Sequence, residues 1–155
     1  MVFRVNKQLA KGKYKLCEVV SGLEKSGVLR KLFGRSLARA LRNTIVEVND
    51  DDWVMFIDER RKLISISRNH LRNEDERTLY LDFLHELVHI KQLADGRRLF
   101  YQPLSYVDWP TEIEAYRYTV QEARSLRMSK KEIEGYLSVP WVTKSELRRL
   151  ARAVM

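Results

Sequence analysis

The sequence predicts an α+β fold in which a small mixed or antiparallel β-sheet packs on two long helices, with further helices at both ends of the chain. Three observations support this prediction. β-branched and alternating segments fill residues 44–67. Two longer segments with apolar residues at three- and four-residue steps follow, at 74–95 and 110–126. Capping boxes at Ser129 and Thr143 then predict two short helices.

Length and composition are typical of one domain with its own core. The chain has 155 residues, of which 45% are hydrophobic and 32% are charged, as in ordinary folded domains. The formal net charge is +8, and the basic residues are concentrated near the two ends. We predict a single domain over 1–155, with a basic helical extension at 1–43, a core at 44–127 and a C-terminal helical segment at 128–155.

The sequence carries no signal for a membrane or for secretion. No apolar run approaches the roughly 18 residues of a membrane span, and charge interrupts the N-terminal residues before an apolar signal segment forms. Cys17 is the only cysteine, so the chain forms no internal disulfide, which suits a reducing compartment. We therefore expect a cytoplasmic protein.

A basic amphipathic helix is predicted after Ser26. Apolar residues recur there at helical spacing, with arginines and lysines between them: Leu29, Leu32, Phe33, Leu37, Ala40 and Leu41. Such a helix contacts nucleic acid or a membrane surface in some proteins. More commonly it packs on the core and leaves its cations in solvent.

The predicted strands begin with residues 44–49, which are rich in β-branched side chains. The aspartates at 50–52 predict a polar turn. A calcium-binding loop is not expected there, because its further ligands are missing. Residues 53–57 and 63–67 then flank a charged turn and predict a β-hairpin. Since serine and isoleucine alternate in 63–67, we expect an edge strand that could hold an extended peptide by main-chain hydrogen bonds.

The segment His85-Glu86-Leu87-Val88-His89 is the strongest functional motif of the chain. Two histidines four residues apart lie on one face of a helix, where both can bind one Zn²⁺ while Glu86 reaches the metal's water. Asn73 is the predicted N-cap and Gly96 the predicted stop, so the helix spans about residues 74–95. The motif therefore lies within a buried helix, as a metal site requires.

A third ligand has to be found outside the motif, and the only other histidine, His70, precedes it. Asp95 lies six residues after His89, but it falls at the predicted helix end and is interpreted as a cap residue. On the next helix, Glu112 and Glu114 are about 200° apart, so only one can face the metal. Glu112 shares its face with apolar residues, which favours it and leaves Glu114 as the alternative.

With Glu112 included, the chain resembles the gluzincin metallopeptidases, in which HExxH is followed by a glutamate ligand on a second helix. Trp109-Pro-Thr-Glu112-Ile-Glu-Ala115 is similar to the W-x-x-E-x-x-A segment of aminopeptidase-type members, and the short chain most resembles the compact minigluzincins. The resemblance covers about residues 44–127. It implies a zincin-like domain, Zn²⁺ held by His85, His89 and Glu112, and hydrolysis of peptide bonds by a metal-activated water with Glu86 as general base.

The chain departs from the thermolysin-like pattern at Tyr116, where those members have an aspartate that supports the metal ligands. Support for the histidines then has to come from elsewhere, with Asp82 or a backbone carbonyl as candidates. A donor to the developing oxyanion is also expected. The candidates are His70, Tyr116, Arg117 and Tyr118.

The two short C-terminal helices are joined by a turn, a pattern found in helix-turn-helix proteins. The second helix carries several cations: Lys144, Arg148, Arg149 and Arg152. The alternative hypothesis is therefore a nucleic-acid-binding or regulatory protein whose metal site is regulatory or structural. Other interpretations are a helical lid that completes the core and a segment that occludes the cleft. The expected partner is a peptide or protein substrate, with nucleic acid as the alternative.

Overall fold

The computed structural model describes residues 2–155 and has the predicted α+β architecture. The first part of the chain contains β1 (Arg4–Val5), β2 (Gly12–Lys15), α1 (Leu16–Val19), β3 (Val20–Ser21), α2 (Gly27–Phe33) and α3 (Leu37–Asn43). The strands β4 (Ile45–Asn49), β5 (Met55–Asp58) and β6 (Leu63–Ser67) follow. The remaining helices are α4 (Arg68–Asn73), α5 (Glu76–Ala94), α6 (Pro110–Ser125), α7 (Lys130–Leu137) and α8 (Lys144–Val154).

A mixed four-stranded sheet has the strand order β2-β4-β6-β5, and β1 pairs with β3 in a separate ribbon. β6 runs parallel to β4 and antiparallel to β5, so residues 63–67 form an inner strand and the prediction of an edge there is wrong. Its serines are buried because they have partners. Ser65 accepts a hydrogen bond from Asn49 at 2.7 Å, and Ser67 caps α4. The edge next to β6 is β5.

Helix α5 begins later than predicted. Its N-cap is Asp75, whose carboxylate accepts hydrogen bonds from the backbone and the hydroxyl of Thr78. Asn73 is not the cap, because Ser67 starts the additional helix α4 and Asn73 ends it. The predicted stop is confirmed, since Gly96 has φ +77° and its N–H donates to the Leu93 carbonyl.

The basic segment after Ser26 forms two helices rather than one. Ser26 caps α2, and the chain breaks at Gly34, which has φ +56°. Four apolar residues of the two helices are buried, Leu29, Phe33, Leu37 and Leu41, and the cations between them are exposed. The segment is therefore a packed, solvated pair of helices. Its core residues join one cluster that runs from Val5 to Val154.

A buried carboxylate links three helices. Glu122 on α6 is 1% exposed and accepts hydrogen bonds from Ser26 at 2.9 Å and from the Tyr80 hydroxyl of α5 at 2.8 Å. These bonds offset the cost of burying the charge and fix α6 against α5. Within residues 2–155, no helix combines the length and the apolar character that a membrane crossing requires.

Candidate metal centre

Three buried side chains meet where α5 packs against α6. The Glu112 carboxylate lies 3.0 Å from His85 Nε2 and 3.1 Å from His89 Nε2, and the two ring nitrogens are 3.2 Å apart. Their potential ligand atoms all lie within 4.8 Å of one another. This group could hold a metal ion, and Glu112 rather than Glu114 is the carboxylate beside the histidines.

The spacing of these atoms fits a tetrahedral zinc shell. Zinc binds nitrogen and carboxylate oxygen at about 2.0–2.1 Å, so two tetrahedral ligand atoms lie about 3.3 Å apart. The two histidine nitrogens, 3.2 Å apart, are close to that value. Each histidine faces a different oxygen of Glu112, since Oε2 lies 3.0 Å from His85 and Oε1 lies 3.1 Å from His89. An ion bound by both histidines is therefore within reach of the carboxylate.

A hydrogen-bonded chain behind His89 fixes its ring. Gln92 Oε1 lies 2.7 Å from His89 Nδ1, and the amide nitrogen of Gln92 donates to the Thr111 carbonyl and to Glu114. Because the Gln92 amide nitrogen already donates to these two acceptors, the oxygen of the same side chain must be the atom that accepts from His89 Nδ1–H. His89 Nε2 is then the nitrogen left for a metal. Glu114 belongs to this supporting chain and also pairs with Arg97 at 2.8 Å.

The support of His85 is weaker. Its Nδ1 lies 3.5 Å from the Thr119 hydroxyl, which itself donates to the Ala115 carbonyl at 2.8 Å. The ring of Tyr116 packs against the His85 ring with 4.4 Å between centroids. His85 is therefore supported by an aromatic contact and a threonine rather than by a carboxylate. Asp82, which the sequence suggested as a support, forms no hydrogen bond with His85 or His89. It instead accepts a hydrogen bond from the Tyr136 hydroxyl and pairs with His70.

Electrostatics favour a charged pair at the centre when no metal is bound. Burial opposes the charge on Glu112, but the two histidines outweigh it and hold the pKa of Glu112 well below its usual range. Burial also opposes the charge on His89, and the neighbouring Glu112 carboxylate raises the pKa of His89 to about 9. A metal therefore has to displace the proton of His89, which makes its binding dependent on pH.

Glu86 lies beside this centre and opens onto a cleft. It is 8% exposed, and its carboxylate forms no hydrogen bond with any residue in the range 2–155 that the structure describes. Burial raises the pKa of Glu86, and the two histidines oppose this only in part. A buried carboxylate with spare acceptor capacity and a raised pKa has the properties of a general base.

The cleft has a volume of about 470 Å³ and runs from His85 past the start of α5 and one side of α7 to the β5 edge and the loop around Trp141. Of the predicted oxyanion donors, His70 and Tyr116 line it. Arg117 instead donates to the Ala153 carbonyl, and Tyr118 packs on the core.

Two tyrosines that the sequence did not single out also line the cleft, Tyr106 and Tyr136. The hydroxyls of Tyr106 and Tyr116 are 3.0 Å apart. Burial raises the pKa of both, so both keep their protons and can donate hydrogen bonds. No spacing pattern in the sequence points to Tyr106, because this residue lies in a short 3₁₀ turn, Tyr106–Asp108.

The C-terminal helices form as predicted, and Ser129 and Thr143 cap them. Helix α8 packs on α6, and one of its four predicted surface cations, Arg149, pairs with Asp108 at 2.8 Å. The other three are exposed. The loop between α7 and α8 forms one wall of the cleft and does not cover Glu86, which still lines it.

No protein-family model matches the chain, and no curated protein or solved structure matches it significantly. The resemblance to gluzincins therefore rests on the residues of the chain alone.

Proposed function

We propose that the protein is a zinc-dependent peptidase of the gluzincin type. The observation that supports this most strongly is that the candidate ligand group opens onto the cleft through His85, beside Glu86. His85, His89 and Glu112 lie at ligand spacing, and His85 lines the same cleft as Glu86, whose carboxylate has no hydrogen-bond partner in the described chain. A structural zinc site would be closed by a fourth protein ligand and would need no base beside it.

In this proposal His85, His89 and Glu112 hold the metal. Bound zinc would supply a Lewis acid that polarises the scissile carbonyl and lowers the pKa of water toward about 7. Glu86 takes a proton from the attacking water and later delivers it to the leaving amine. The raised pKa of Glu86 suits both steps, because a carboxyl group with an ordinary pKa is a poor proton donor near neutral pH.

The edge strand β5 offers a place for an extended peptide. The Ser67 N–H donates to the Val54 carbonyl at 3.0 Å, and Met55 is opposite Ile66. Hydrogen-bonded and non-hydrogen-bonded pairs alternate in an antiparallel ladder, so Met55 points its N–H and C=O away from β6. Met55 also lines the cleft. A substrate strand would pair with its backbone and lie across the metal centre.

The hydroxyls of Tyr106 and Tyr116 are the best placed donors for a developing oxyanion. Tyr116 is buried against the His85 ring, and Tyr106 is half-buried beside it, with 3.0 Å between the two hydroxyls. Both tyrosines keep their protons and line the cleft. In this proposal one hydroxyl holds the other in position, and the second donates to the substrate oxygen.

The experiment is a comparison of Glu86→Gln with Glu76→Gln, both loaded with zinc, on a library of unstructured peptides read by mass spectrometry. Glu86→Gln keeps the shape of the side chain and removes the base, so we expect wild-type metal content and about 10²- to 10⁴-fold slower hydrolysis. Glu76 is on the same helix and does not line the cleft, so Glu76→Gln should cleave like the wild type. Peptide hydrolysis that persists at the wild-type rate in Glu86→Gln would rule out the assigned base.

One observation favours the alternative of a nucleic-acid-binding protein. Lys144, Arg148 and Arg152 on α8 are exposed, and none of them forms an ion pair in the part of the chain from residue 2 onwards. Binding to DNA or RNA that weakens steeply with salt and survives removal of the metal would support this function. Binding that is absent at low salt would exclude it.

A further inference from the structure

The cleft carries the opposite charge to the chain as a whole. The chain has a formal charge of +8. In the described part of the chain, the cleft is lined by five carboxylates against a single Lys or Arg side chain, Arg77; the carboxylates are Glu74, Asp75, Asp82, Glu86 and Glu132. A cleft lined by one sign of charge concentrates ligands of the other sign, because its low-dielectric walls focus the field.

Some of these carboxylates have partners within the protein, and Glu74 has the fewest. Arg77 pairs with Glu132 at 2.8 Å, and Asp82 pairs with His70 at 2.9 Å. Asp75 caps α5 and binds Thr78, so its charge is partly offset by the positive end of the helix dipole. Glu74 accepts only the backbone N–H of Asp75 and forms no ion pair with residues 2–155. Glu74 is therefore the carboxylate with the most capacity for a ligand.

A second observation shows that this cleft is built to receive a ligand. Glu86 is 8% exposed, has no hydrogen-bond partner in the described chain and lines the same space as Glu74. None of its carboxylate oxygens is sealed from the cleft, so a group bound in the cleft can reach a carboxylate with free acceptor capacity.

We propose that the cleft selects peptides that carry a lysine or arginine side chain, which binds near Glu74 at the N-terminal end of α5. This inference rests on the proposed peptidase function and names the substrate class of that same site. The aromatic and apolar residues opposite, among them Met55, Val139 and Trp141, contact the aliphatic part of such a side chain, while its charged end reaches the carboxylates.

The geometry also gives the position of the cation along the substrate. Helix α5 starts at Glu76, and the nine-residue step to His85 corresponds to a rise of about 14 Å. An extended peptide advances about 3.3 Å per residue. For a substrate that runs along α5, the cationic residue is therefore expected about three to five residues from the scissile bond.

The test uses zinc-loaded Glu86→Gln protein and fluorescence anisotropy. The probes are a set of labelled neutral dodecapeptides, each with one arginine at a different position, and the same set with citrulline, which has the same shape and no charge. We expect the best arginine peptide to bind about tenfold more tightly than its citrulline counterpart at low salt. Most of this difference should disappear at about 0.5 M salt, because partly exposed charges are then screened.

Two further variants in the same background locate the effect. Glu74→Gln should reduce the preference for arginine about threefold, the usual size for one partly exposed ion pair. Glu76→Gln is the matched control, since it removes a neighbouring carboxylate that does not line the cleft, and it should leave the preference unchanged. Equal binding of the arginine and citrulline sets, or equal effects of the two substitutions, would overturn the inference.

Hydrolysis of the same peptides by the wild type separates this inference from the proposed function. Cleavage without a preference for arginine would overturn the inference and leave the peptidase function in place. Arginine-dependent binding through Glu74 without cleavage of any peptide would overturn the peptidase function and keep the preference for cationic peptides. The cleft would then be a binding site for such peptides. If no peptide binds and none is cleaved, both are overturned.

Discussion

Replacing Gln92 by alanine tests whether the hydrogen-bonded chain behind His89 serves the metal centre. Gln92 is 1% exposed, accepts from His89 Nδ1 at 2.7 Å and donates to the Thr111 carbonyl at 3.0 Å. The substitution leaves His89 Nδ1–H without its acceptor and frees the ring to rotate. Loss of such a partner lowers metal affinity about 10- to 100-fold. Loss of the buried hydrogen bonds lowers the free energy of unfolding by about 1–3 kcal/mol.

Zinc affinity is measured by competition with a chromophoric chelator, and stability by urea unfolding of the metal-free protein. Thr119→Val is the comparison on the other histidine. Its contact to His85 is 3.5 Å long, so we expect less than a tenfold change in affinity. Gln121→Ala, at an exposed position of α6, controls for loss of a glutamine and should change neither quantity. If Gln92→Ala unfolds more easily but binds zinc as tightly as the wild type, Gln92 is only a core residue and the argument fails.

Three further predictions concern the charged pair, the backbone at Gly22 and the edge strand β5. First, the raised pKa of His89, about 9, stabilises the metal-free protein. This contribution is complete below the unfolded value of about 6.5 and is lost as pH rises through about 9. The free energy of unfolding, measured with urea, should therefore fall by about 2–3 kcal/mol between about pH 7 and about pH 9.5, and the fall should be absent in zinc-saturated protein. A flat metal-free profile would contradict the charged pair. Second, Gly22→Ala should destabilise the protein by about 1–3 kcal/mol, because Gly22 has φ +98° and a Cβ there would lie 2.7 Å from the Val2 carbonyl oxygen. Gly27→Ala is the control and should be neutral or slightly stabilising, because a Cβ there has nothing within 4 Å. Equal urea midpoints for the two variants would refute this prediction. Third, a peptide substrate can be N-methylated at one backbone amide at a time and its hydrolysis measured by mass spectrometry. Methylation of the amide that pairs with Met55 should slow hydrolysis the most, because it removes a main-chain hydrogen bond to β5. Equal slowing at every position would argue against docking on β5.

The sequence predicted the parts of the site that depend on spacing within one helix. The four-residue step of His85 and His89 and the face of Glu112 both follow from the helical period, and the structure brings these three side chains together. It did not predict Gln92 or Thr119 as their supports. Which side chains meet across α5 and α6 depends on how far the two helices are shifted along each other, and periodicity within each helix carries no information on that shift.

The errors in the fold have a similar origin. Residues 63–67 alternate like an edge strand, yet they lie inside the sheet because Asn49 and the start of α4 satisfy their serines. Asn73 is a good cap by type, but Ser67 had already started a helix that uses it as the last residue. Local propensity was correct in each case, and tertiary partners decided the outcome.

Metal content after equilibrium dialysis tests whether His85, His89 and Glu112 bind zinc. The comparison is between the wild type, Glu112→Gln and Glu114→Gln. Glu112 is the carboxylate beside both histidines, and Glu114 pairs with Arg97. We expect about one zinc per chain in the wild type and in Glu114→Gln, and little in Glu112→Gln. A wild type without zinc, or a Glu112→Gln protein that retains it while Glu114→Gln does not, would refute the assignment of these three ligands.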